Sequence, residues 1–148
     1  MLDVPILYLS SYIIQNKADY YRLLQEVRTD DNMEEWILYM LDGVEQTSMA
    51  TVGLIQDIHK LMQETKWNIR ENLPKIYSKD LVEILFMHPY TKIDFLVKGL
   101  GIYRDTAGRY LNKLSELGVV EEIKIKNSKF FINVKLFERL QKGLVLQK

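Results

Sequence analysis

Residues 100–134 read LGIYRDTAGRYLNKLSELGVVEEIKIKNSKFFINV, and the reading of this stretch decides the fold. From 104 to 117 the apolar residues fall at Ala107, Tyr110, Leu111, Leu114 and Leu117, a three-to-four spacing that lines one face of a helix. Gly118 follows, at a place where a left-handed residue is cheap and ends the helix. Residues 119–126 then alternate, with Glu121, Ile123 and Ile125 against Glu122, Lys124 and Lys126, which is the period of a half-buried strand. Asn127 and Ser128 turn the chain. Residues 129–134 return as a second strand rich in aromatic and β-branched side chains.

Just upstream, residues 79–87 (KDLVEILFM) place Leu81, Ile84 and Leu85 on one side of a helix that Pro89 ends. Residues 92–100 (KIDFLVKGL) form a short helix through Ile93, Leu96 and Val97, and Gly101 supplies the turn into the next one. Helix, helix, turn, helix and hairpin is the order of a winged helix-turn-helix with a two-stranded β wing.

The preceding chain reads as helices separated by a break at Asn16 and Lys17 and a polar loop over 29–32. Asp3, Val4 and Pro5 open a first helix, with Pro5 near its start where a missing N–H does no harm. Ile6, Leu7, Leu9, Tyr12, Ile13 and Ile14 make it apolar nearly all round, which predicts burial. Residues 19–28 form a second helix with Tyr20, Leu23, Leu24 and Val27 facing inward. Asn32 and Glu35 have the spacing of a capping box. A helical pattern then runs to about Asn72 through Trp36, Met40, Val44, Thr47, Thr51, Leu54, Ile55, Ile58, Leu61, Met62, Thr65 and Ile69. Such a helix extends roughly 60 Å, a spine between two small domains. Gly43 and Gly53 each weaken it by about 1 kcal/mol relative to Ala, and the polar segment 45–51 is where a kink is expected. The expected fold is mainly α: residues 1–74 as an N-terminal helical segment with a long spine helix, and residues 75–148 as a C-terminal winged helix.

The 148 residues suffice for a real core, and their composition is that of an ordinary globular chain. Absence of Cys excludes disulfides, thiolate catalysis and Cys-ligated zinc, and two histidines, His59 and His88, leave little for a metal site. No metal and no cofactor is expected. Nothing resembles a signal peptide, and the apolar run 4–14 is about half of what spans a bilayer, so a cytoplasmic location without membrane contact is expected. The net charge is zero, yet residues 1–78 carry 7 Lys/Arg against 12 Asp/Glu while residues 79–148 carry 13 against 8. The basic half is the one that holds the hairpin.

Several blocks together carry a family resemblance: LDVPILYLSSYIIQNKADYYRLLQEVR (2–28), EEWILYMLDGVEQT (34–47), LPKIYSKDLVEILF (73–86) and HPYTKIDFLVKGLGIYRDTAGRYLNKLSELGVVEE (88–122). In that order they resemble the C-terminal part of Fic-family proteins, over about residues 2–134. The resemblance implies a parent activity, transfer of AMP from ATP to a protein hydroxyl. It also implies a signature of His-Pro-Phe followed by Gly-Asn-Gly-Arg and a further Gly-Arg, lying upstream of the equivalent of Leu2. His88, Pro89 and Tyr90 imitate its beginning, but TKIDFLVKGLG follows them in place of the glycine-rich turn. A Pro that ends a helix accounts for that triplet, and His59 reads as a surface residue of the spine. With no nucleophile–base pair and no phosphate-cradling loop, the chain is expected to be non-catalytic.

Two functions remain. In the first, the third helix of the winged helix enters the major groove of double-stranded DNA and the wing touches the backbone. Tyr103, Arg104, Thr106, Arg109, Asn112 and Lys113 would face the bases, with Arg suited to guanine and Asn to adenine. Lys124, Lys126 and Lys129 would contact phosphates. Gly108, in the middle of that face, either removes a side chain where a groove wall comes close or is a tolerated defect of the helix. In the second, the chain is a protein-interaction or dimerisation module regulating a Fic AMP-transferase, without DNA binding. Asp105, Glu116, Glu121 and Glu122 near the same surface speak for it. A homodimer through the N-terminal helices is expected in either case, burying the apolar surface around Trp36, Met40 and Val44.

Overall fold

The computed structural model describes residues 8–30, 32–126 and 128–143. Its helices are α1 (Leu9–Gln15), α2 (Lys17–Thr29), α3 (Met33–Asn72), α4 (Lys79–Met87), α5 (Ile93–Leu100), α6 (Arg104–Glu116) and α7 (Val134–Gly143). Three short strands, β1 (Tyr90–Thr91), β2 (Glu121–Ile125) and β3 (Ser128–Ile132), complete the mainly α fold. The expected helix start at Asp3 to Pro5 and the turn role of Asn127 lie outside the described residues. Asp57–Arg139 forms one compact unit, and the described residues on either side of it form the other.

In the unit that holds α1, α2 and the first part of α3, a small aromatic cluster does the packing. Tyr20, Trp36 and Tyr39 lie with ring centroids 5.1 to 6.5 Å apart, and Tyr12 sits 5.2 Å from Tyr39. Tyr12 and Leu23 are the buried anchors of α1 and α2. The expectation of an all-round buried first helix is corrected among the described residues: Tyr12 is the buried residue of α1, and Ile14 is 69% exposed. Leu24, expected inward, is also exposed, as are Val44 and Ile55 of the α3 pattern.

Helix α3 runs for 40 residues with no break at 45–51. The hydroxyls there fold back onto the helix itself: Thr47, Ser48 and Thr51 donate to the carbonyls of Gly43, Val44 and Thr47 at 2.6 to 2.7 Å. Polar groups that satisfy themselves along the helix do not have to leave it. Gly43 is not a defect either. A Cβ there would stand 2.6 Å from Cδ1 of Tyr12, so the missing side chain is what lets the tyrosine ring approach. Gly53 has open space around it and fits the expectation of a merely weak position.

The second unit builds its core from Ile69, Ile76, Leu81, Val82, Ile84, Leu85, Leu96, Ala107, Leu111, Leu114, Val120 and Phe131. Each fully buried Leu contributes about 1.5–3 kcal/mol relative to an exposed one. The helix–helix–turn–helix–hairpin order read from residues 79–134 is present, with each helix within a residue of its expected bounds. Ser78 caps α4, its hydroxyl accepting the Leu81 N–H at 3.0 Å. Gly118 takes the left-handed conformation, φ 72°, beyond the end of α6.

The hairpin differs in three ways. First, the sheet has a third strand, in the order β1-β3-β2, because Tyr90 and Thr91 pair with Ile132 and Phe131. Second, Ser128 belongs to β3, and Lys126 takes the turn position with φ 54°. Third, β2 is exposed along its whole length rather than half-buried. Phe131, opposite Glu122, points into the core, so the side chains of Ile123 and Ile125 fall on the other face of the sheet. Ile123 there lies opposite Phe130, which in turn sits 5.8 Å from Tyr90.

Residues after 132, which the sequence pattern continued as strand, turn into α7. Asn133 makes the switch: its side-chain oxygen accepts the Leu136 N–H at 3.1 Å, its backbone N–H donates to Pro89, and its amide reaches the Leu85 carbonyl. Pro89 therefore both follows α4 and receives the end of β3, which explains the His88-Pro89-Tyr90 triplet structurally. His88 stacks at 5.9 Å on Tyr90. No described helix is long and apolar enough to cross a membrane.

Candidate nucleic-acid interface

Helix α6 is amphipathic: Ala107, Leu111 and Leu114 are fully buried, Tyr110 packs partly buried against the same core, and Arg109, Asn112 and Lys113 between them are exposed. Three-to-four spacing on a rigid helix therefore presents Arg104, Arg109, Asn112 and Lys113 on its exposed side. Tyr103 stands at the N-cap of α6 and is 87% exposed, more than any other large hydrophobic among the described residues. An aromatic side chain held so far into water contributes nothing to the core.

These residues are not equivalent. Arg104 is engaged by Asp94 of α5, Nη1 to Oδ1 at 2.5 Å. Arg109 donates through Nη2 to the Thr106 hydroxyl at 3.2 Å, a contact that orients the guanidinium without neutralising it. Thr106 is half-buried, so it serves α6 more than it serves a ligand. Gly108 has room for a Cβ, whose nearest neighbour would be Ile93 Cδ1 at 3.9 Å, so nothing in the intrachain packing requires a glycine there.

On the hairpin, Lys124 lies directly opposite Lys129, two like charges in one cross-strand pair. Lys129 is drawn diagonally to Glu122, Nζ to Oε1 at 2.7 Å, which relieves that repulsion. Lys126 projects from the turn. Among the described residues Arg109, Lys113, Lys124 and Lys126 have no ion-pair partner, whereas Arg104 and Lys129 do. The reading of the sequence placed Glu122 near this surface without pairing it to Lys129, and it missed Asp94. The first pairing was recoverable in principle, since hairpin register places Glu122 beside Lys129. Asp94 belongs to a different helix, and no local spacing signals it.

A groove of about 500 Å³ lies beside this surface, lined by Ser115, Val119, Glu121, Lys135 and Glu138 among others.

Residues 61–136, just over half of the chain, match the family model described as the C-terminal domain of SoFic-like protein adenylyltransferases. The chain belongs to this family. The match covers α4, α5, α6 and the whole sheet, so the candidate surface lies entirely within the SoFic-like C-terminal domain. The family to which the residue blocks pointed is thereby shown.

Proposed function

We propose that residues 79–132 act as a winged helix that docks α6 in the major groove of duplex DNA, as a non-catalytic regulatory part of a Fic-like adenylyltransferase. One observation carries the reading: α6 buries one face completely and offers Arg109, Asn112 and Lys113 on the other, with no carboxylate bound to Arg109 or Lys113 among the described residues. A helix anchored in that way can enter a groove without losing core contacts. Arg109 and Asn112 are the base readers, and Lys113, Lys124 and Lys126 are phosphate contacts. Fluorescence anisotropy of labelled duplex DNA at several salt concentrations tests it. Affinity that falls steeply with salt, and falls further in Arg109→Ala and Lys113→Ala, is expected. Absence of binding at low salt removes the reading.

A second reading, a protein-docking module without DNA contact, is favoured by the pairing of Arg104 and Lys129 with Asp94 and Glu122. These pairs cut the positive potential on which sequence-independent DNA affinity depends. In that case the same titration shows no binding, and the mutated α6 surface changes a protein contact instead.

A further inference from the structure

Strand β2 is an edge of its sheet with no further strand beside it among the described residues, all five of its residues are exposed, and its sequence is EEIKI. An exposed edge is a row of backbone donors and acceptors waiting for another strand. We infer that β2 pairs antiparallel with β2 of a second copy of this chain, about a twofold axis at Ile123. This does not rest on the DNA reading.

The argument is charge complementarity within a set register. The hairpin closes with Ile125 opposite Ser128, and hydrogen bonding to β3 alternates along β2 from that closing pair. On that alternation Glu121, Ile123 and Ile125 bond to β3, leaving the N–H and C=O groups of Glu122 and Lys124 turned toward the free edge. In a symmetric antiparallel pair centred on Ile123, Glu122 of each copy meets Lys124 of the other, and the outward groups of both residues find partners. Moving the twofold axis one residue either way sets Glu122 against Glu122 or Lys124 against Lys124. Only the central register is attractive throughout. It also gives Lys124, now opposed to Lys129 in its own chain, a share of the Glu122 carboxylate of the second copy, whose other oxygen is free of the bond to Lys129.

The same pairing joins the outer faces of the two sheets. Ile123 meets its own copy, and Ile125 lies opposite Glu121, extending the apolar face that already holds Phe130 and Tyr90. The expected homodimer through the N-terminal helices lacks this complementarity. Ile37, Leu41 and Val44 are exposed on α3, but Glu34 and Glu45 share their face, and no Lys or Arg occurs from 33 to 59. Pairing two such faces of α3 brings these carboxylates together without a cation from the same stretch.

Sedimentation velocity over a concentration series on the whole chain tests the inference. The unmodified chain dimerises in the micromolar range. Lys124→Glu and Glu122→Lys each weaken self-association about tenfold, since each puts like charges in both symmetric pairs. The doubly exchanged chain recovers, and so does an equimolar mixture of the two single variants. Hydrogen exchange needs no variant: the Glu122 and Lys124 amides become protected as concentration rises. A monomer throughout, or a dimer indifferent to both single exchanges, overturns the inference, and the latter moves the interface to another face such as α3.

Discussion

Lys129 Nζ lies 2.7 Å from Glu122 Oε1, across the β2–β3 ladder and inside the surface that the sequence marks as cationic. A carboxylate so placed competes with any phosphate for the lysine. Glu122→Gln frees Lys129, so duplex DNA affinity rises and the slope of log affinity against log salt steepens by about 0.9. Lys129→Ala alone, by contrast, changes affinity little. Anisotropy titrations at several salt concentrations check both.

Two glycines of α3 with the same helix propensity are expected to answer in opposite directions. Gly53→Ala stabilises the chain by about 1 kcal/mol, because nothing lies within reach of the new methyl. Gly43→Ala destabilises it, because the methyl meets the Tyr12 ring at 2.6 Å and forces α1 away. Thermal melts followed by circular dichroism separate the two.

Tyr12 donates its hydroxyl proton to Asp42 Oδ2 at 2.7 Å, and the bond sets a pH window. Burial, and then the bond to Asp42, raise the Tyr12 pKa above its ordinary 10.0. The bonds from Tyr12 and then Gln46 lower that of Asp42 below 3.8. A raised pKa means stability that is complete below the ordinary value and is lost as pH climbs through the folded one. A lowered carboxylate pKa means stability present above the ordinary value and lost as pH falls through the depressed one. Melting temperature therefore drops at both extremes, and Tyr12→Phe flattens the alkaline limb while lowering the plateau between them.

Lys126 holds φ 54°, a left-handed conformation that a side chain with a Cβ resists. Lys126→Gly removes that resistance and stabilises the hairpin by up to about 1 kcal/mol. Urea denaturation reads the gain as a higher midpoint at unchanged slope. The same change deletes one proposed phosphate contact, so stability and DNA affinity move in opposite directions.

The helices were legible because their signals are local. The Leu81–Leu85 and Ala107–Leu114 spacings, Ser78 before α4 and Gly118 after α6 each act within a few residues of themselves. Strand β1 and helix α7 were not, since Tyr90 and Thr91 become a strand only by meeting β3, and Asn133 ends β3 while capping α7 from beneath Pro89. An asparagine before the apolar run Val134, Leu136 and Phe137 was the one available hint of that helix.

At the candidate site the order of amino acids was enough to say which residues share the outer face of α6, because helical periodicity is a property of the backbone alone. It also carried the family to which the chain belongs. Folding settled the rest: which sheet face holds the isoleucines of β2, which glycine is a hole for a tyrosine, and which cations are neutralised. Those outcomes depend on distances between segments far apart in the chain, such as Asp94 to Arg104 and Gly43 to Tyr12, and periodicity along the backbone carries no information about them.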